Sequence, residues 1–363
     1  MKKLLFIITA MCLSVMLALS GCSCMPGEPL TFNQNFAGNG NNFELLGATY
    51  EETLTYKVTY EKNYASYLKK ESRIPDDIIP EYNGEYTTTF KANVKLPEYV
   101  TNRTDLNLTG GEIHKLNTLL DLRIETPQGK VYLDKIITDV YFYSIGFSYT
   151  PIYSIQTIRN TLPTLNSNGT DFIYAVSVVQ NETVYKQNSY TLTKKMVSET
   201  DNDLLNFMDI KELHDNKTGL TVIESNTYNY TPRQLIDNTQ LYFILRNVNI
   251  SASSSYNVPT VTPMYGQVRS VKIKNVDQVT KNGVSFDYNG QPVSVDMPLT
   301  FYSFAMSGAT NTGLPQIVAC QKSAVDNIPY TALPIEMAQA LIEYSSTFAT
   351  IGVLKYKLTG VTI

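Results

Sequence analysis

The strongest constraint on the fold is a hydrophobic period of two. Residues 53–60, TLTYKVTY, put Leu54, Tyr56, Val58 and Tyr60 on one face of an extended chain, and Thr53, Thr55, Lys57 and Thr59 on the other. Residues 86–96, YTTTFKANVKL, repeat the pattern: Phe90, Ala92, Val94 and Leu96 oppose Thr89, Lys91, Asn93 and Lys95. Strands divided in this way bury one side and wet the other, as antiparallel sheets do. Turn chemistry adds two hairpins. Thr126-Pro127-Gln128-Gly129 separates Leu120, Leu122 and Ile124 from Val131 and Leu133. Asn289-Gly290 divides the alternating arms of 284–297 and can supply the two positive φ angles of a type I′ turn. Further strands are expected over 138–148, 171–180, 183–193, 240–250, 268–276, 298–306 and 347–362.

Helical signals are few. Residues 200–219 carry Leu204, Leu205, Met208 and Leu213 at helical spacing, with acids at the start and Gly219 as a stop. In 231–237, Thr231 suits an N-cap, Pro232 the first helical position and Gln234 a capping box. LPIEMAQALIEY, 333–344, is the third stretch. Helices this sparse cannot serve every crossover of a parallel sheet. The expected class is therefore mainly β, with two antiparallel β-sandwich-like domains and a few short helices. The domains would occupy 46–200 and 201–363, the second beginning with a short helix. The tripeptide YTP at 149–151 and 230–232 hints at duplication, but three residues in a Tyr- and Thr-rich chain carry little weight.

The N-terminus belongs to a different kind of segment. Lys2-Lys3 precedes an apolar run from Leu4 to Leu19, broken only by Thr9 and Ser14. A run of about 16 residues is shorter than the roughly 20 that span a bilayer and has the form of an export signal. Its end, Leu19-Ser20-Gly21-Cys22, resembles the lipobox of bacterial lipoproteins. The resemblance implies cleavage between Gly21 and Cys22, a thioether-linked diacylglyceryl group on Cys22, and Cys22 as the mature N-terminus. Cys24 fits the acceptor position poorly, because Gly21 and Cys22 would then stand at −3 and −2. The implied partner is the membrane. The implied location is the cell envelope: the outer side of the cytoplasmic membrane, or the outer membrane of a Gram-negative host. Two acyl chains give stable anchoring where one does not. Residues 1–21 are then the signal peptide and 22–45 the lipidated cysteine with a flexible spacer, marked by Pro26-Gly27-Glu28-Pro29 and Asn39-Gly40-Asn41-Asn42.

Charge and motifs narrow the function by exclusion. The chain has 29 basic and 33 acidic residues and no basic cluster, which argues against a nucleic-acid partner. Cys12 leaves with the signal, and Cys24 and Cys320 lie at opposite ends, so no disulfide scaffold is expected. Ser66-Tyr67-Leu68-Lys69, Lys217-Thr218-Gly219 and Ser255-Tyr256-Asn257 match fragments of the penicillin-binding serine enzymes, but in the wrong order. Asp201, Asp203, Asp209 and Glu212 fall at positions 1, 3, 9 and 12 of a calcium loop, yet Leu205 and Asn206 stand where a ligand and a glycine belong. The same letters make an amphipathic helix with acids near its positive end. His114 and His214 have no zinc spacing, and His214 reads as a helix-terminal charge or a surface residue. Asp76-Asp77 would matter for glycoside cleavage only if carboxylates met in space. The 26 Tyr and 14 Phe, without Trp, suit strand packing and recognition surfaces alike. No catalytic residue, metal ligand or cofactor is assigned. The expected role is non-catalytic binding or scaffolding at the cell surface, with a protein or glycan ligand. The alternatives are an envelope polymer-acting enzyme and an importer's solute-binding lipoprotein.

Overall fold

A computed structural model describes residues 50–62, 78–101, 112–145, 148–165, 171–230, 235–246, 255–262, 268–306, 317–328, 332–342 and 350–363. Gly21, Cys22, Cys24, Ser66, Lys69, Asp76 and Asp77 lie outside these residues.

The chain is mainly β and antiparallel, with a few short helices, as the alternation requires. Eight strands form a first meander: β1 (Glu51–Glu61), β2 (Glu81–Lys91), β3 (Glu112–Glu125), β4 (Val131–Ile145), β5 (Ser148–Leu165), β6 (Phe172–Tyr185), β7 (Ser189–Val197) and β8 (Leu220–Asn229). The second run comprises β9 (Ile236–Asp237), β10 (Ser255–Val261), β11 (Val268–Tyr288), β12 (Gln291–Met306), β13 (Ile317–Gln321), β14 (Pro334–Ile342) and β15 (Thr350–Thr362). All fifteen belong to one sheet, in the order β8 to β1, then β15 down to β9. β7 and β8, which flank the expected division at residue 200, are hydrogen-bonded partners. β1 joins the two runs by pairing with β15, where Tyr56 faces Leu358 and Val58 faces Tyr356. The tip of β11 also meets β15 in parallel, with Asp287 beside Gly360 and Tyr288 beside Val361. That contact closes β11 to β15 into a five-stranded ring. Ile273, Met297, Leu299, Val318 and Leu358 of these strands share one core with Leu54, Tyr56 and Val58 of β1.

The hairpins form where the turns place them. Asn289 and Gly290 have φ of 52° and 78° between β11 and β12, and Thr126–Lys130 connects β3 to β4. The 200–219 stretch is two helices, α2 (Asn202–Phe207) and α3 (Ile210–Asn216); α1 (Glu98–Thr101) precedes them in the chain. Asp201 caps α2 by accepting from the amides of Asp203 and Leu204, and Asp209 caps α3 by accepting from those of Lys211 and Glu212. Two acids of the calcium-like spacing are therefore spent on helix capping.

Two local expectations are corrected. Residues 241–245, expected within a strand, form α4 (Leu241–Leu245) after a single 3-10 turn (Asn238–Gln240). A capping box starts it: Asp237 accepts from the Thr239 amide and the Gln240 side chain accepts from the Asp237 amide, both at 2.9 Å. That local start outweighs the strand preference of Leu-Tyr-Phe-Ile-Leu. Thr231 to Gln234, the expected start, lie outside the described residues. Conversely, Pro334–Ile342 is strand β14 and not a helix, because it is held between β13 and β15, with Met337 opposite both Val318 and Tyr356.

Helices cover both faces of the first meander. Neighbouring residues of β4 point opposite ways: Tyr141 packs with Val100 of α1 on one face, and Phe142 packs with Phe243 of α4 on the other. α3 lies on the Tyr141 face, where His214 reaches Asp139 of β4 and Thr157 of β5.

Candidate functional site: a pocket beneath α4

On the α4 face, β1, β2, β3 and β14 and the 238–246 segment surround a narrow pocket of about 20 Å³, room for about one water molecule. The alternation of β1 supplies Glu52, Leu54 and Tyr56 to it, β2 supplies Tyr86, Thr88 and Phe90, and β3 supplies Leu116. Pro334 and Met337 come from β14, and Thr239, Phe243 and Arg246 from the α4 segment. Phe243 stacks on Phe90 with centroids 4.7 Å apart and the rings 20° from parallel.

The pocket's charges are confined to one pair. Arg246 grips both carboxylate oxygens of Glu52, Nη2 reaching Oε2 at 2.9 Å, with Nη1 on Oε1. The two side chains are 4% and 3% exposed, so the pair is withdrawn from water. The Tyr50 hydroxyl also donates to Glu52, at 3.3 Å. Burial works against the Arg246 charge, but Glu52 outweighs it and holds the guanidinium firmly protonated. Tyr56 donates to the Pro334 carbonyl at 2.9 Å. Cys320 is buried, and burial pushes its thiol up to about 12, with the Arg246 charge opposing.

His114 is fully buried on this side of the sheet, 5.6 Å from Phe90 and 5.7 Å from Phe142 between ring centroids. Its Nδ1 accepts from the Asn93 amide at 3.3 Å. Burial lowers its pKa to about 4, so the ring is neutral at physiological pH.

The α3 face holds a second polar cluster. Thr157 Oγ1 lies 2.9 Å from His214 Nδ1, and His214 Nε2 lies 3.4 Å from Asp139. Lys115 at 2.8 Å and Asn117 at 2.7 Å also hold Asp139. Burial pushes the Asp139 carboxyl up, but His214 and Lys115 overcome it and bring it down to about 2. The order hydroxyl, imidazole, carboxylate is that of a catalytic triad. Thr157, however, has no exposed surface and Gln180 donates to the same oxygen at 3.1 Å, so no substrate carbonyl reaches it while α3 is in place. The cluster fastens α3 to the sheet. His214 is thus in the last turn of a helix, as expected, but buried and not at the surface.

The remaining fragments do not assemble. Lys217 ends α3 in a left-handed conformation, φ 57°, with its ammonium against the Tyr99 ring, while Ser255 to Asn257 lie in β10. Among the described residues no cluster of three or more His, Cys, Asp or Glu side chains is arranged to hold a metal ion. The tyrosines serve packing first: Tyr56, Tyr153 and Tyr190 are among the largest fully buried side chains.

Glu52 and Arg246 stand 194 residues apart, and no motif joins them. A signal is nevertheless present at one end, because Glu52 falls in phase with Leu54, Tyr56 and Val58, where the alternation calls for an apolar residue.

No protein-family model and no curated protein matches the sequence. Among solved structures, the chain is similar to a crystal structure described as a β-barrel-like protein of domain of unknown function DUF1849 from Brucella abortus. The two share 9% identity, with a TM-score of 0.43 over 86% of this chain and 97% of that one.

Proposed function

We propose that the protein is a non-catalytic binding or scaffolding lipoprotein of the cell envelope, held to the membrane through Cys22. The observation that carries this reading is the run Leu19-Ser20-Gly21-Cys22 at the end of an apolar segment. The lipobox at Leu19–Cys22 supports the address, and the 22–45 spacer would let the sheet stand off the bilayer by about 25 Å on average.

One experiment tests this reading. Wild-type protein should incorporate an alkyne-tagged fatty acid and fractionate with membranes, and Cys22→Ser should do neither. Undiminished membrane retention of Cys22→Ser, without incorporated lipid, would overturn the anchor.

A further inference from the structure

We infer that β8 is the docking edge for a second copy of this chain, the two β8 strands pairing antiparallel about a two-fold axis at Asn226. The sheet ends in two unlike edges. β9, at one end, is two residues long and offers almost no ladder, whereas β8, at the other, spans ten residues, Leu220–Asn229. β7 pairs with one side of β8, and among the described residues no strand pairs with the other. Seven successive residues, Thr221 to Thr227, are exposed. Sheets commonly blunt such an edge with lysine or proline, or by keeping it short. β8 has no lysine and no proline. Its bulge, where Ile223 has no opposite residue on β7, lies near the start and leaves Glu224 to Asn229 in regular pairing. Val222 and Ile223, at the bulge, are 54% and 56% exposed.

The residues of the regular stretch are self-complementary, which makes the occupant a second copy. An antiparallel pair centred on Asn226 sets Glu224 opposite Tyr228, Ser225 opposite Thr227 and Asn226 opposite itself. Each match joins residues of one face, as the period of two requires. Within one chain, Thr193 already meets Ser225 at 3.0 Å and Thr191 meets Thr227 at 2.9 Å, hydroxyl to hydroxyl. The register carries that row across the axis: Thr193 and Ser225 of one copy continue into Thr227 and Thr191 of the other. The two Asn226 amides at the axis each bring donors and an acceptor. Glu224 is the one charged residue of β8, and Lys194 of β7 holds it at 3.4 Å. It lies two positions from the axis, so no like charges stand directly opposite each other. The contact uses the one long edge of each copy, and β9 is too short to extend it, so the assembly closes at two chains.

Sedimentation equilibrium of the Cys22→Ser protein, with a reductant present to keep Cys24 from cross-linking, tests the pairing. The average mass should rise with concentration from one chain toward two and stop there. Asn226→Lys and Asn226→Glu each bring like charges face to face at the axis. Either change should weaken association about fivefold or more, and leave the melting temperature unchanged because Asn226 is exposed. An equimolar mixture of the two variants should associate at least as tightly as the parent, since opposite charges then meet. A single-chain mass at every concentration up to about 1 mM overturns the inference. Growth beyond two chains overturns it as well. A dimer that keeps its affinity in both variants, with no gain on mixing them, places the contact elsewhere and overturns the assignment to β8.

Discussion

Arg246 and Glu52 place two charges where water does not reach, and each balances the other. Removing one partner strands the second in a low-dielectric setting, which typically costs about 3–5 kcal/mol, whereas replacing both by uncharged groups of similar size is often close to neutral. Arg246→Met should therefore destabilise by roughly that amount, and Glu52→Gln combined with Arg246→Met by much less. Urea unfolding of the two single variants and the double variant gives the comparison. Additive losses would show that the pair is not coupled. Two other buried groups give the protein opposing pH responses. His114, lowered to about 4 by burial, binds its proton in the unfolded chain below its ordinary value near 6.5. Its contribution is complete above about 6.5 and is lost as pH falls through 4. Asp134 is raised to about 7, chiefly by burial, with the Thr161 backbone amide and the charge of Arg159 opposing. Its folded form keeps a proton that the unfolded chain releases near 4, so it weakens the fold increasingly as pH rises from 4 to 7. Each effect is on the order of 3 kcal/mol, and between pH 4 and 6.5 they cancel in part. Asp134→Asn should leave melting temperatures that rise with pH across this window, and His114→Gln should leave temperatures that fall. Parallel profiles in the two variants would contradict the assignment.

At the scale of elements, β2 shows how closely the strands of the first meander pack. Gly84 sits mid-sheet, opposite Val58 of β1 and Leu122 of β3. A Cβ at Gly84 would overlap the Asp121 carbonyl oxygen and come within 3.0 Å of the Leu122 Cα. Both are backbone atoms, so the strands themselves must move. Gly84→Ala should cost toward the upper end of the roughly 1–3 kcal/mol range for forced overpacking. Gly129, in the β3–β4 turn, has φ of 78° and nothing within 4 Å of where a Cβ would stand, so Gly129→Ala carries only the left-handed penalty of about 1–2 kcal/mol. A Gly84→Ala protein that melts no lower than Gly129→Ala would refute the close approach. Which elements are legible in the sequence follows from how they are buried. β1 has one wet face and its alternation is plain; the residues of its buried face are 0–3% exposed from Glu52 to Val58. β5 escapes the alternation because helices cover one face and the sheet interior limits the other, and because Pro151 and Pro163 read as breaks. β8 escapes it for the opposite reason: it lies at the sheet's edge, almost wholly exposed, and needs no apolar period. β14 has helix-forming letters, Glu-Met-Ala-Gln-Ala, and is a strand because β13 and β15 hold it from both sides. The pocket is the least legible of all. Its walls come from β1 to β3, β14 and α4, and only the apolar phase of β1 marks Glu52 as out of place.

At the scale of the molecule, the single sheet makes the two runs of strands depend on each other. β1 has β2 on one side and β15 on the other, so the first run cannot satisfy both edges of β1 by itself. α2 and α3 follow β7 in sequence yet fasten back onto β4, β5 and β6. Asn206 accepts from the Leu133 amide at 2.8 Å, Asn202 from the Val176 amide at 3.0 Å, and Arg159 donates to the Met208 carbonyl at 2.7 Å. α4, from the second run, covers Phe90, Leu116, Val140 and Phe142 of the first. A fragment of residues 46–200 would lack β15, α2, α3 and α4 together. It would expose the β1 edge, the hydrophobic pocket walls and the polar row that includes Asp139 and Thr157. Such a fragment should be aggregated or unfolded, with a collapsed amide spectrum in solution, because an unpaired central strand and an uncovered apolar face each favour association. The intact chain should unfold in one calorimetric transition whose van't Hoff and calorimetric enthalpies agree, despite its length. Two resolved transitions, or a 46–200 fragment with a dispersed spectrum and a cooperative melt, would show that the pairing of β1 with β15 joins two units already stable alone. In that event the contact of β14 and α4 with β1 to β3, closed by Arg246 on Glu52, would be an interface between separately folded parts, and Arg246→Met would separate the two transitions further.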